Sequence, residues 1–251
     1  MAKPKIAFFD FASCEGDQLQ IANLEEKLLE LLDHVEVVSF REVMKEHSDD
    51  YDIAFIEGSC TRQSDEARLK KIRANAKMVV AIGACATIGG PNCFGLARPL
   101  DQMRKEVYGD KADLFETYSP RPIDAVIPVD YKIHGCPIRG EEFLEFCKQI
   151  LSGQKFVIPN YPVCVDCKLA GNICVFEKGM TCVGPVSRAG CGACCVTAGA
   201  VCWGCRGMID DPNMNAHKEV LEKYNLKADE VIKKINLYFA YQMNEKCKTQ
   251  G

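Results

Sequence analysis

The sequence predicts an α/β chain: a doubly wound parallel sheet comes first, then a small irregular domain with helices at its C-terminal end. Two observations carry this. From Lys5 to Leu151, short apolar runs of strand length alternate with stretches of helical periodicity. Nine of the 16 cysteines then fall between Cys164 and Cys205, in a segment with no convincing periodicity.

The elements follow in order. Lys5–Phe9 is a short buried strand. Leu19, Ile21, Leu24, Leu28, Leu31 and Leu32 recur at the spacing of one helix. Val35–Val38 and Ile53–Ile56 read as strands, and a helix follows over about 65–76. Met78–Ile82 is another apolar strand, ending at Gly83. A helix around 100–108, a strand near 125–133 and a helix from about Glu141 to Leu151 complete this part. Parallel strands need helical crossovers, so helices cover both faces and the expected fold is flavodoxin-like. The jump in cysteine density puts a boundary in the extended, proline-bearing stretch FVIPNYPV, giving domains 1–157 and 158–251. Residues 164–212 offer too little apolar surface to fold unaided, so a metal is expected to organise them. The end, from about His217, reads as two helices with a loose tail after Glu245.

Composition narrows the function. The chain has 251 residues, 47% hydrophobic and 26% charged, ordinary for a globular protein. A net charge of −4 argues against nucleic acid or an anionic membrane as the main partner. No apolar stretch reaches the ~18 residues of a membrane helix, so no membrane insertion is expected. The start, MAKPKIAFFDF, carries no export signal. A cytoplasmic, reducing location is expected, where many cysteines mean metal or redox chemistry rather than disulfides.

Four cysteines of the first part each follow a predicted strand: Cys14, with Asp17 behind it, then Cys60, Cys85 and Cys136. Open α/β sheets form sites beyond the carboxyl ends of their strands, so these residues converge there. Gly16, Gly83 and Gly135 beside them would let backbone approach a bulky inorganic group, and Pro137 would stiffen the turn. A single cysteine is as readily a small core hydrophobe. Three at three strand ends favour a site. The second part holds Cys164-x-x-Cys167, Cys174, Cys182, Cys191, Cys194, Cys195 and Cys202-x-x-Cys205. Pairs of this spacing bring two thiolates to one centre, either zinc or an iron–sulfur cluster. The glycine-rich run CVGPVSRAGCGACC favours a loop around a bulky cluster.

SCEG, GACATIGG, HGCP, C-x-x-C, C-x-G-P, AGC and C-x-G-C, in this order over residues 4 to about 210, resemble the small subunit of NiFe hydrogenases. CVDCK, CVGPVSRAGCGACC and CWGCRG look most like its cytoplasmic branch, joined through other subunits to a flavin module reducing NAD(P) or another carrier. The resemblance implies an electron-transfer subunit with three iron–sulfur clusters, 4Fe-4S in type. Its partners would be a NiFe large subunit and flavin/iron–sulfur diaphorase-type subunits. It implies a proximal cluster at Cys14, Cys85 and Cys136, and a distal cluster at Cys164, Cys167, Cys174 and Cys182. The medial cluster would lie at Cys191, Cys195, Cys202 and Cys205. The chain would be part of an oxidoreductase acting on H2, with no catalytic residue of its own.

One departure matters. The family's first motif is C-x-G-C, and here it reads Cys14-Glu15-Gly16-Asp17, which puts a carboxylate where the fourth proximal ligand stands. Asp17, a harder donor than thiolate, is the expected ligand. A thiolate from Cys93 or Cys60, or a three-iron cluster, is the alternative. Cys147 reads as core, Cys194 and Cys247 carry no role, and Glu57 and His134 read as structural neighbours of cluster loops, with a supporting hydrogen bond or proton path as the alternative. The competing functions are a quinone-reductase-type small subunit and a zinc or thiol redox binding module.

Overall fold

The computed structural model describes residues 2–249, the side chains of 95–97, 228 and 246–249 excepted. Cys247 therefore lies outside the described side chains. The chain forms two compact units, Met1–Phe156 and Val157–Gly251.

The first unit is built on five parallel strands: β1 (Lys5–Asp10), β2 (Glu36–Ser39), β3 (Ile53–Glu57), β4 (Met78–Ile82) and β5 (Tyr131–Ile133). Their order in the sheet is β2-β1-β3-β4-β5, with the connection reversing direction between β1 and β3. Register aligns the strand ends in one row: Asp10 pairs with Glu57, Glu57 with Ile82, and Ile82 with Ile133. The loops leaving these four strands therefore start side by side.

Six helices belong to this unit: α1 (Gly16–Ala22), α2 (Glu26–Leu32), α3 (Gln63–Asn75), α4 (Gly83–Ile88), α5 (Leu100–Tyr108) and α6 (Gly140–Leu151). The pleat sends alternate residues to opposite faces, and both faces are covered. Ile6, Phe8, Phe55, Val80 and Ile82 pack on one side with Ile21, Leu31, Phe143 and Phe146. Ala7, Ala54, Ile56, Val79 and Ala81 pack on the other with Leu69, Ile72 and Ile123. Phe55 is the centre of the first core: it stacks on Phe8 at 4.9 Å and meets the rings of Phe143 and Phe146 edge-on at 5.2 and 5.9 Å. Cys147 lies in this same core.

Two expectations for this unit are corrected. The single helix over Leu19–Leu32 is two, broken at Asn23–Glu25, where Glu25 takes a left-handed φ of 52°. The break leaves no trace in the apolar spacing because Leu24 still packs on the core. The strand near 125–133 is confined to Tyr131–Ile133. Pro128 has no N–H for the ladder, and a 3-10 turn at Ile123–Ala125 buries Ile123 and precedes buried Ile127.

The second unit has no named strand among the described residues. It holds α7 (Val163–Leu169), α8 (Cys194–Thr197), α9 (Met214–Lys223), α10 (Ala228–Tyr238) and α11 (Ala240–Thr249). The C-terminal stretch thus forms three helices rather than two, and the stretch expected to be loose after Glu245 is helical to Thr249. Asn225, with φ 52°, separates α9 from α10. A bend at Phe239 separates α10 from α11 and turns that ring onto Gly204, where a Cβ would lie 2.3 Å from its Cζ. The cysteine-rich segment is not without a core either. Its Val183, Val186, Val196 and Val201 pack against Leu221, Val231 and Phe239 of the helices. Among the described residues no helix is long and apolar enough to cross a membrane.

Candidate functional site

In the first unit the row of strand ends collects the expected donors. Gly16 starts α1 two residues after Cys14, and a Cβ on it would lie 3.3 Å from the Cys14 Sγ and 3.9 Å from the Cβ of Pro137. The Cys14 and Cys136-Pro137 loops are therefore neighbours. The Cys136-Pro137 peptide is cis. Cys85 lies in α4, on the first turn after β4. Burial, then the negative groups Cys136, Asp17, Cys14 and Glu57 around it, push its thiol up to about 12. These five side chains share one small region.

Asp17 is buried in the first turn of α1. Its Oδ1 accepts the Ile138 N–H at 2.7 Å, and its carboxyl rests on Gly83, where a Cβ would sit 1.7 Å from Oδ2. Gly83 also has φ 81°, so side chains are doubly excluded there. The carboxyl of Glu57, fully buried at the end of β3, accepts the N–H groups of Asp17 and Gln18 at 3.3 and 3.0 Å. Glu57 and Asp17 also bond through their side chains, which requires one proton between the two carboxyls. Burial, then the Glu57 charge, raises Asp17 to about 7, against the Ile138 N–H, which lowers it. Burial likewise raises Glu57.

Of the alternative fourth donors, Cys60 points its thiol at the Tyr118 hydroxyl, 3.0 Å away, and Cys93 bonds the Pro120 carbonyl at 3.2 Å. His134 bonds Thr87 at 2.9 Å, and Thr87 bonds the Gly83 carbonyl at 2.7 Å, one turn back in α4, the helix that carries Cys85. Sequence reasoning puts Glu57 beside the cluster loops, structural or with a supporting hydrogen bond. Its side chain binds the start of α1 and pairs with Asp17. The available signal is a carboxylate closing an otherwise apolar strand.

In the second unit Cys164, Cys167, Cys174 and Cys182 line one cavity, about 400 Å³ with its open mouth included. Its other walls include Val163, Val175, Phe176, Pro185 and Val196. Burial and the thiols of Cys182, Cys167 and Cys174 push Cys164 up to about 12. Gly184 borders the same space: a Cβ there would come 3.3 Å from the Cys182 Sγ and 3.6 Å from the Cys164 Sγ. Four thiols, apolar walls and a glycine that keeps backbone close fit an iron–sulfur cluster, which such surroundings shield from water. The last group is brought together in two parts. Cys191 and Cys195 interact with each other and with Cys194. Cys202 interacts with Cys205 and with Cys182, and also borders the first cavity. Both Cys194 and Cys195 are exposed beside Cys191. Among the described residues no three donors converge on the point a single metal ion would take, and no disulfide links the cysteines.

Comparison with known proteins places the chain in a family. Residues 14–150 match the family model of the NADH ubiquinone oxidoreductase 20 Kd subunit. Sulfhydrogenase 2 subunit delta of Pyrococcus furiosus is 33% identical over 236 residues, covering 93% of this chain and 98% of that protein. A subunit of an F420-non-reducing hydrogenase of Methanococcus voltae is 29% identical over 263 residues, covering 92% of this chain and 91% of that protein. A chain in the structure of an NAD+-reducing [NiFe]-hydrogenase superposes with a TM-score of 0.57 at 25% identity, covering 63% of this chain and 96% of that one. The family match ends before the cysteine-dense unit, whereas the hydrogenase relatives extend across it. The chain belongs to the NADH ubiquinone oxidoreductase 20 Kd subunit family and, within it, to the small subunits of multi-subunit hydrogenases.

Proposed function

We propose that this chain is the electron-transfer subunit of a cytoplasmic NiFe hydrogenase, relaying electrons between a NiFe large subunit and a flavin- or NAD(P)-type partner. Its likeness to a chain of an NAD+-reducing hydrogenase supports the flavin side. The observation that carries the reading is the cavity ringed by Cys164, Cys167, Cys174 and Cys182 with Gly184 at its edge. Cys191, Cys195, Cys202 and Cys205 would hold a second cluster. Cys14, Cys85, Cys136 and Asp17 would hold a third, beside the large subunit. When bound, such clusters supply one-electron chemistry.

The protein's own part is to hold donors and set their surroundings. Thiols raised by burial must lose their protons to bind iron, so loading releases protons into these sites. The Ile138 N–H orients the Asp17 carboxyl, and Glu57, hydrogen-bonded to it, is the neighbour to which Asp17 would pass its proton. Val163, Val175 and Phe176 line the inner, apolar side of the Cys164 group, while Cys164 itself is exposed.

Anaerobic purification with iron and sulfide analysis tests the reading. About twelve irons per chain are expected for three four-iron clusters. Zinc without iron overturns it. Asp17→Cys tests the fourth donor of the first unit: the cluster spectrum should change, and a wild-type spectrum removes Asp17 from the ligand set.

A further inference from the structure

Buried charge is divided between the two units by sign. Among the described residues the buried acids are Asp17, Glu57 and Asp65, all in the first unit. The buried lysine and arginine among those residues are Lys234 and Arg206, both in the second unit. Burying a cation carries a large desolvation cost, which negative charge close by offsets.

Their positions supply it. Lys234 occupies the inward face of α10, at helical spacing with Val231, Ile235 and Tyr238, all of which pack in the unit's core. An apolar residue is what that face requires. Its Nζ instead donates to the carbonyl and to the hydroxyl of Thr181, the latter at 2.6 Å, and lies 5.1 Å from the centre of the Trp203 ring. Thr181 and Trp203 are the chain neighbours of Cys182 and Cys202. Glu230, one turn earlier on α10, reaches the same Thr181 hydroxyl at 3.1 Å from the exposed side. Arg206, only 1% exposed, follows Cys205 and donates from Nε to the Ala189 carbonyl at 2.7 Å. Its guanidinium also covers Gly190, next to Cys191.

We propose that Lys234 is a potential-setting residue: its buried ammonium, held on Thr181 beside Cys182, raises the reduction potential of the iron–sulfur group held by Cys164, Cys167, Cys174 and Cys182. Arg206 stands beside the other group of this unit, at Cys191. The physical reason is direct. Reduction adds negative charge to a cluster, and a fixed cation in a low-dielectric site favours the reduced form. The first unit, with carboxyls in place of cations around its cysteines, sets its own group lower. This rests on the cluster reading above.

The test is a reductive titration of the full chain, purified anaerobically with its clusters and followed by electron paramagnetic resonance. Lys234→Met should shift one transition to more negative potential and leave the others in place. Lys234→Arg, which keeps the charge, should restore the wild-type value. Glu230→Gln removes the opposing charge from an exposed position that leaves the core intact, and should shift the same transition to more positive potential. Unmoved transitions in both Lys234→Met and Glu230→Gln, with iron content retained, overturn the role of Lys234 while leaving the cluster assignment standing. If Lys234→Met loses iron, the sign of the Glu230→Gln shift decides. A wild-type chain without iron and sulfide overturns both.

Discussion

The two units hold their cysteines by opposite means. In the first, a five-stranded sheet with a packed core on each face stands without help from its site, and Cys14, Asp17, Cys85 and Cys136 sit on the loops and first helical turns beyond its strand ends. In the second, the cysteines are part of the core: Cys182 is buried with Val183, Val186 and Phe239, and Cys167, Cys174 and Cys202 pack against them. A scaffold that carries a site can survive without it, and a core built around a site cannot.

Metal removal should separate the units most strongly. Chelation of iron is expected to abolish hydrogen-exchange protection at Val183, Ser187 and Val196, while amides of β3 and β4 stay protected. Equal protection in both units after chelation would refute the contrast. The converse break is Phe55→Ala. It removes the ring that joins β3 to α6 and should cost the first unit about 3–5 kcal/mol, read from its denaturant midpoint, with the visible absorption of the second unit's clusters retained.

A pH effect of a few kcal/mol at most should follow in the metal-free chain. Asp17 binds its proton more tightly when folded, with a pKa of about 7 against an ordinary 3.8. Protonation therefore favours the folded form, and the first unit should lose stability as pH rises from about 4 to 7. Asp17→Asn should flatten that slope in thermal melts, and an unchanged slope would assign the effect elsewhere. The mildest perturbation is Gly184→Ala. Its φ is not left-handed, so the fold should hold, but the new methyl 3.3 Å from the Cys182 Sγ should lower the iron content by up to about four per chain.

What can be read from sequence follows the same division. The strands are legible because a parallel sheet covered on both faces demands continuous apolar runs, and Ile53–Ile56 and Met78–Ile82 are such runs. The convergence of Cys14, Cys85 and Cys136 is legible because topology alone brings strand ends together. The break at Glu25 is not, because a single left-handed residue leaves hydrophobic spacing intact. Nor is Lys234, since a lysine in a helix normally reads as a solvated position, and only its neighbours show that it points inward. Adjacent Cys194 and Cys195 remain equivalent beside Cys191, because spacing separates donors by turns, not by single residues.

The level row of strand ends also governs when each site can come into being. A chain emerging from its N-terminus possesses the donors on the first row only after residue 136 has been made, because they follow three separate strands, β1, β4 and β5. The Cys164–Cys182 set, by contrast, is complete within a single short stretch of polypeptide. One site is a long-range closure that certifies a finished sheet; the other is a local knot that can be tied as soon as its own segment appears.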